Sequence, residues 1–172
     1  MKNVIKAFGV IGVAALLSAW GDRVEVPPAM VGKIMGQHGY QDNLIPTSKF
    51  RLAPCFAYCD RLVLLDVSDQ SYTEQLNIFI PQDKLNVGIH VRTTLSVNPK
   101  KTEELFNSLS PTEIDSSLSS ITSGTIYKTY AAQIIQAEVR EYLSQFSISE
   151  IASSNEKINA DIRERLSTAL EK

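Results

Sequence analysis

The side chains best suited to catalysis are few and scattered in this sequence. Histidine occurs only at His38, in a glycine-containing turn, and at His90, on the polar side of a predicted strand. Serines are frequent, but there is no G-x-S-x-G elbow, no H-E-x-x-H pair and no glycine-rich phosphate loop. Because a Ser-His-Asp triad is recognised by geometry and not by sequence position, an exported hydrolase stays open as the less favoured function. We assign no catalytic residue.

Carboxylates and cysteines give no stronger indication of a site. Asp66, Asp69 and Asp83 lie at predicted strand ends and turns, where aspartate is locally favoured. Cys55 and Cys59 are too close together, and have too few partners, for a standard four-ligand zinc site. We therefore predict no metal and no cofactor. The two cysteines form a candidate local disulfide if the protein is exported, and are otherwise two thiols near a strand end.

The overall charge argues against one class of partner. The 172 residues carry a net charge of −2, with a sequence pI of about 5.7. Broad nucleic-acid binding needs a basic surface that displaces counterions from phosphates, so we predict no nucleic-acid partner. The 44% of hydrophobic and 21% of charged residues are ordinary for a globular protein.

The first 20 residues are predicted to be a membrane anchor or a signal segment. Lys2 and Lys6 precede an uncharged run from Ala7 to Trp20, which has the length of a signal-peptide core and is shorter than the roughly 20 residues of a usual span. Cleavage after Ala19 would release an exported protein, whereas retention would leave a short anchor with the lysines inside. Both alternatives put the body on the extracytoplasmic (periplasmic) side. The candidate anchor residues are Val4, Ile5, Phe8, Val10, Ile11, Val13, Leu16, Leu17 and Trp20.

Residues 22–97 are predicted to form a β-rich lobe. The longest period-two alternation runs from Leu85 to Val97 and predicts a strand with one buried face. A second strand, with Tyr72, Glu74 and the following apolar residues on one side, comes directly before it. Shorter alternating runs bring the total to five or six strands, for which sequential antiparallel pairing is the simplest topology.

Residues 98–172 are predicted to form a helical lobe. Asn98-Pro99 is typical of a capped helix start, and capping boxes at Ser110–Glu113 and Ser147–Glu150 predict two more. A last helix from about Ser153 has an apolar stripe and a charged face. The charged face is most simply solvated, and the stripe is a candidate self-association seam. The candidate self-association residues are Ile158, Ile162, Arg163, Arg165, Leu166 and Leu170.

The order of these features resembles the SPFH or band 7 superfamily of stomatins, prohibitins and flotillins. The layout is most similar to the bacterial membrane modulators of the FtsH protease. The resemblance is found in an apolar anchor followed at once by VEVPPAMVGKI (24–34), in PQDKLNVGIHVRTTLSV (81–97), in VREYL (139–143) and ISEI (148–151), and in the spacing of the last stripe. It predicts an α+β fold with an N-terminal membrane anchor helix, an antiparallel β-rich lobe and a helical lobe.

Two features depart from the family pattern. The segment from Gln41 to Cys59 has Ile45-Pro-Thr-Ser48 in place of the usual Pro-Gly-x-His type of turn. Residues 98–172 are also expected to lack the final strand and the long coiled-coil helix of the family.

The resemblance implies a non-enzymatic scaffold that self-assembles into rings or patches. Such a scaffold organises a membrane microdomain or modulates a membrane protease. Its expected partners are membrane lipid, further copies or a paired homologue, and a membrane protease. The alternative is an exported or membrane-tethered binding module that acts on a partner protein by adding a strand to a sheet edge.

Overall fold

The computed structural model describes residues 21–54 and 58–171, which form a mixed α+β fold. The predicted fold class is confirmed at that level, whereas the predicted anchor helix falls in residues 1–20, outside the described residues. The strands are β1 (Arg23–Val26), β2 (Met30–Gly36), β3 (Gly39–Tyr40), β4 (Ser48–Arg51), β5 (Arg61–Asp66), β6 (Gln70–Ile80), β7 (Leu85–Leu95), β8 (Thr112–Glu113) and β9 (Leu118–Ile121). The helical segments are a 3₁₀ turn (Pro99–Lys101), α1 (Thr102–Ser108), α2 (Ser123–Ile126), a π-helical segment (Tyr127–Ala131), α3 (Ala132–Leu143), α4 (Ile148–Ser153) and α5 (Asn155–Leu170).

The described residues divide into two compact units. Unit 1 contains residues 21–68 and 98–122, and unit 2 contains residues 69–97 and 123–171. The sequence predicts that the part of the chain after residues 1–20 divides once, into lobes of residues 22–97 and 98–172. The structure groups β6 and β7 with the later helices because the apolar face of this hairpin packs into the same core as α3 and α5.

Unit 1 is built on a five-stranded sheet in the order β3-β2-β5-β9-β8. Strand β5 pairs in parallel with β9, with Leu62 opposite Leu118, whereas the other neighbouring strands pair antiparallel. The prediction of sequential antiparallel pairing is therefore wrong for β5. The chain leaves unit 1 after Ser68 and returns at Asn98, which supplies the long connection that a parallel pair needs.

The prediction that a helix begins at the capping box Ser110–Glu113 is wrong. This region forms the hairpin of β8 and β9, in which Thr112 pairs with Ser120. The Ser117 N–H donates to Asp115 Oδ1 at 2.8 Å, which closes the turn between the two strands. The side chains of Ser119 and Ile121 are buried. Pairing with β5 thus outweighs the local capping signal.

Both faces of the unit 1 sheet are covered. The β1–β4 pair packs on one face, where the buried residues are Val24, Val26, Leu52, Leu62 and Leu64. On the other face α1 contributes Phe106, whose side chain is 1% exposed and whose ring lies 5.6 Å from that of Tyr40. Strand β5 therefore has apolar side chains buried on both sides, as expected of a central strand.

A charged side chain is buried in unit 1. Lys33 in β2 is 3% exposed, and its ammonium group lies 2.9 Å from Glu103 Oε1 of α1 and 5.9 Å from the centre of the Tyr40 ring. A buried cation needs a partner, and this ion pair ties α1 to the sheet. The Glu103 side chain is 61% exposed, so water weakens the pair.

Unit 2 is a hairpin packed against helices. Strands β6 and β7 pair antiparallel from Gln70 opposite Leu95 to Ile80 opposite Leu85. The alternation predicted for both strands is confirmed, with Leu76, Ile78 and Ile80 buried and the residues between them exposed. Leu85 is the exception, because its side chain at the end of β7 is 56% exposed. The helical residues in the same core are Tyr127, Ala131, Ile135, Val139, Tyr142, Leu143, Ile158 and Leu166.

The turn of this hairpin is bonded to the start of α4. Gln82 Nε2 donates to the carbonyl oxygen of Gln145 at 2.9 Å, and Asp83 Oδ2 accepts from the N–H of Ile148 at 2.7 Å. The predicted capping box at Ser147 and Glu150 is confirmed. The hydrogen bond from the Ser147 N–H lowers the pKa of the Glu150 carboxyl, and this bond keeps the first turn of α4 in place.

A polar cluster lies at the edge of the unit 2 core. Glu74 Oε1 accepts from Tyr127 Oη at 2.6 Å, and Glu74 Oε2 accepts from Gln136 Nε2 at 2.9 Å. The Tyr72 ring stacks on the Tyr127 ring with the centroids 3.8 Å apart. Burial raises the pKa of Tyr127, and the hydrogen bond to Glu74 raises it further. The cluster fixes β6 against the π-helical segment and α3.

We expect Tyr127→Phe to lower the free energy of unfolding by about 1.5–3 kcal/mol at pH 7, the usual contribution of a hydrogen bond to a charged group. The pKa of Tyr127 is higher in the folded than in the unfolded protein. The stabilisation is therefore complete below the unfolded pKa of about 10 and is lost as the pH rises through the folded value. Urea unfolding at pH 7 and pH 10.5 measures both effects. Tyr58→Phe, at an 80% exposed side chain, is the control, and equal alkaline sensitivity of wild type and Tyr127→Phe would contradict this account.

Candidate functional site

The predicted membrane anchor cannot be placed in the structure, because its residues lie within 1–20, outside the described residues. Among residues 21–54 and 58–171, no helix has the length and apolar character needed to cross a membrane. The anchor therefore stays a prediction.

The structure does show where residues 1–20 join unit 1. The backbone of Gly21 lies so close to the carbonyl oxygen of Leu52 that a Cβ at this position would overlap with it. One residue later, the carbonyl oxygen of Asp22 accepts from the N–H of Leu52 at 2.9 Å. The backbone of residues 21–22 thus lies against Leu52, the residue that follows β4, and only glycine fits at position 21.

The outer face of the β1–β4 pair is charged. Arg23 lies opposite Arg51 and Glu25 opposite Lys49, while Val24 and the next alternate residue point into the core. Lys49 Nζ and Glu25 Oε2 are 3.0 Å apart, and both side chains are well exposed. Three cationic groups and one carboxylate give this face an excess of two positive charges. They line a shallow concavity of about 430 Å³.

The aromatic residues suggested as a surface patch have separate environments. Phe50 is half-buried against the β1–β4 core, Phe56 lies outside the described residues, and Tyr58 is 80% exposed. A second exposed apolar side chain in unit 1, Ile114, follows Glu113, whose carboxylate pairs with Arg61. Tyr58 lies three residues before Arg61 in the sequence. Each residue of this ion pair therefore has an exposed apolar residue close to it in the sequence.

The candidate disulfide is in the same part of the chain. Cys55 lies outside the described residues, and Cys59 lies two residues before β5. The bond between them stays a prediction.

The apolar stripe of the last helix lies mainly in the core of unit 2. Ile158 is 4% exposed and Leu166 is 7% exposed, and Ile162 and Leu170 pack against the same core. These four side chains therefore contact their own unit. Of the residues predicted to mediate self-association, the two arginines are exposed.

The two arginines differ in their contacts. The Arg165 guanidinium lies 4.7 Å from the centre of the Tyr142 ring and 3.9 Å from Glu138 Oε2. Tyr142 Oη in turn donates to Asp161 Oδ2 at 2.5 Å, and this hydrogen bond raises the pKa of Tyr142. Arg165 thus helps to hold α5 against α3. Arg163, two residues earlier on α5, points towards solvent.

The histidines weighed as catalytic groups are exposed, and Asp66 and Asp83 form local hydrogen bonds. His38 is exposed in the turn between β2 and β3, and His90 is exposed on the outer face of β7, opposite Gln75. Asp66 Oδ1 accepts from the Ser68 N–H at 3.0 Å, and Asp83 caps α4. No group of three or more His, Cys, Asp or Glu residues that could hold a metal ion occurs in the part of the chain that the structure describes.

The sequence profile of the SPFH domain / Band 7 family matches residues 24–172. The chain belongs to this family. A comparison with curated protein sequences finds no match. The SPFH domain is generally a membrane-associated scaffold and generally has no enzymatic activity, and SPFH proteins typically form oligomers.

The SPFH match covers almost all of the residues that the structure describes. It begins at Val24, within β1, so residues 1–20 precede the domain and the charged β1–β4 face belongs to it. Two groups were not predicted from the sequence: the ion pair of Lys33 with Glu103, and the polar cluster around Glu74. Each had a sequence signal, since Lys33 interrupts an apolar strand and Glu74 falls on the apolar side of β6.

Proposed function

We propose that this SPFH protein is a non-enzymatic scaffold, anchored in the membrane by residues 1–20, with its body on the extracytoplasmic side. Its copies associate into rings or patches that organise a membrane microdomain or modulate a membrane protease. The observation that supports this most directly is the join at Gly21, where the predicted apolar segment meets a backbone bonded to β4.

The fixed join limits how far the domain can stand from the bilayer. A flexible linker would let the domain move away from its anchor by several ångströms per residue. Here the chain is hydrogen-bonded to Leu52 from Asp22 onwards. The β1–β4 pair is therefore expected to lie at the membrane surface, where its excess positive charge favours anionic headgroups.

Two observations support self-association. SPFH proteins typically form oligomers, and one face of α5 is exposed to solvent. Identical subunits that contact each other head to tail close into rings or continue as open arrays. Because Ile158 and Leu166 are buried in unit 2, we place the contact on the exposed side of the helix, which carries Arg163.

We expect Arg163→Glu to reduce the particle mass of the detergent-extracted full chain. A charge reversed at an interface meets a like charge and weakens each contact between subunits. A loss of about 1.4 kcal/mol per contact lowers its association constant tenfold. Mass photometry of the extracted protein makes the measurement. The control is Lys128→Glu, which makes the same charge change at an exposed site on the π-helical segment.

The neighbouring variant Arg165→Glu separates assembly from folding. It removes the contact with Tyr142 and should therefore destabilise unit 2 itself, visible as a lower unfolding midpoint. Arg163→Glu should leave the midpoint unchanged. Particles of unaltered mass in Arg163→Glu would remove α5 from the interface.

One observation favours the second candidate, a membrane-tethered binding module. Within the described residues β6 and β7 pair only with each other, so each of these 11-residue strands has an edge without a strand partner. Such edges can accept an extended segment of another protein. A module of this kind would be monomeric in detergent and would enlarge only when its partner is added.

A further inference from the structure

We propose that Arg163 of one copy docks in the groove between α3 and α5 of the next copy, with the groove carboxylates as its counter-charges. This proposal rests on the proposed function, since it assumes that copies of the chain associate. It adds the surface that receives Arg163 and makes the contact head to tail.

The groove between α3 and α5 has an excess of negative charge. Its volume is about 500 Å³, and its charged lining residues are Glu138, Asp161, Glu164 and Arg165. Three carboxylates and one guanidinium leave an excess of two negative charges. The Arg165 guanidinium is already engaged by Glu138 Oε2 and by the ring of Tyr142. The groove therefore presents carboxylates that its own cation does not neutralise.

Glu164 is the groove carboxylate most accessible to another copy. Its side chain is exposed and forms no ion pair with any residue of 21–54 or 58–171. Asp161 lies three residues earlier, so the two carboxylates are neighbours on the helix surface and repel each other. A docked cation would relieve this repulsion. A guanidinium suits the position, because its paired N–H donors match the oxygens of carboxylates.

Arg163 is an exposed cation that lacks a counter-charge on its own helix. Within residues 21–54 and 58–171 it forms no ion pair. On a helix, side chains pair with those three or four positions away. At those distances from Arg163, α5 has Asn159, Ala160, Leu166 and Ser167, none of which is acidic. A carboxylate of another copy can therefore pair with Arg163 without displacing an existing contact.

Arg163 and the groove lie on different sides of α5. An α-helix turns by about 100° per residue, which places Arg163 roughly 100–160° around the axis from Asp161, Glu164 and Thr168. The Arg163 side chain therefore points away from the groove of its own copy. A contact between two different surfaces of identical subunits is head to tail, and it closes into a ring or continues as an open array.

The test exchanges the two charges between copies. Glu138→Gln/Glu164→Arg changes the groove from an excess of two negative charges to an excess of one positive charge. This groove variant and Arg163→Glu are extracted as full chains in mild detergent. Mass photometry then measures each variant alone and the equimolar mixture. Alone, each variant brings like charges together in every contact, so we expect its association constant to fall by about tenfold or more.

In the mixture, the new glutamate of one variant meets the new arginine of the other, while the unchanged surfaces also fit each other. Particles of wild-type mass should therefore return, and their return would show that both variants are folded. The control is Lys128→Glu mixed with the groove variant. It makes the same charge change as Arg163→Glu at an exposed site away from α5, so it should leave the groove variant unassembled.

The unfolding midpoint of each variant checks its stability separately. Arg163→Gln removes the charge without reversing it and should weaken assembly less than Arg163→Glu. A mixture that stays as small as its two components would overturn the proposal, as would wild-type mass in either variant alone. Large wild-type particles with a mixture that does not recover would refute only this contact. Wild-type monomers would refute the scaffold together with the contact.

Discussion

Val10→Asp/Val13→Asp is expected to release the protein from membranes almost completely. Both valines lie near the middle of the uncharged run from Ala7 to Trp20. An aspartate at the centre of a span costs about 2.5–3.5 kcal/mol, so two cost roughly 5–7 kcal/mol, on the order of a 10⁴-fold change in partition. The fraction of full-length protein that stays with membranes after an alkaline carbonate wash measures the effect.

A matched control separates anchoring from net charge. Asn107→Asp/Gln133→Glu adds the same two negative charges at exposed positions of the domain and should stay bound. Intact mass on the same samples shows whether cleavage after Ala19 has occurred. If the double aspartate variant resists the wash as the wild type does, the domain surface holds the protein at the membrane and residues 1–20 do not.

Phe106→Ala is expected to lower the free energy of unfolding of unit 1 by about 3–5 kcal/mol, the range for removing a buried aromatic ring. The side chain is 1% exposed and supports the edge-to-face contact with Tyr40, which in turn lies beside the buried Lys33. The cavity would therefore loosen the α1 side of the sheet. Since domains are stable by only about 5–15 kcal/mol, this is a large fraction of the total.

Hydrogen exchange of the amides in β2 and β5 measures this loss in unit 1 separately from unit 2. We expect roughly 150- to 5000-fold faster exchange in Phe106→Ala, which corresponds to a loss of about 3–5 kcal/mol. The neighbouring change Asn107→Ala lies on the exposed side of α1 and should shift stability by no more than about 0.5 kcal/mol. A less than tenfold change in exchange for Phe106→Ala would mean that α1 does not close the core of unit 1.

The strands of unit 2 could be predicted because one face of each strand is buried and the other is exposed to solvent. The period-two alternation in Tyr72–Ile80 and Leu85–Leu95 reports that environment directly. The capping box at Ser147 was predictable for a similar reason, since its hydrogen bonds are formed within four residues. Local chemistry of this kind does not depend on the rest of the fold.

Long-range pairing could not be predicted in the same way. The capping signal at Ser110–Glu113 is local, but β9 gains its place by pairing with β5, more than 50 residues earlier. The parallel direction of that pair follows from the path of the chain through unit 2, which no local pattern encodes. The contact between Lys33 and Glu103 likewise joins residues 70 positions apart.

The surfaces proposed for function were predictable only in part. The apolar stripe of α5 was correctly placed on one side of the helix, but its burial in unit 2 depends on α3, which the helical period alone does not show. The cross-strand pairing of Arg23 with Arg51 depends on the register of β1 and β4, across a segment whose turn departs from the family pattern.

The scaffold proposal is tested most directly by the particle mass of the full chain extracted in mild detergent, with intact-protein mass recorded on the same sample. We predict large particles of uniform mass in which residues 1–20 are retained. Monomers that lack the first 19 residues would contradict both the anchor and the assembly.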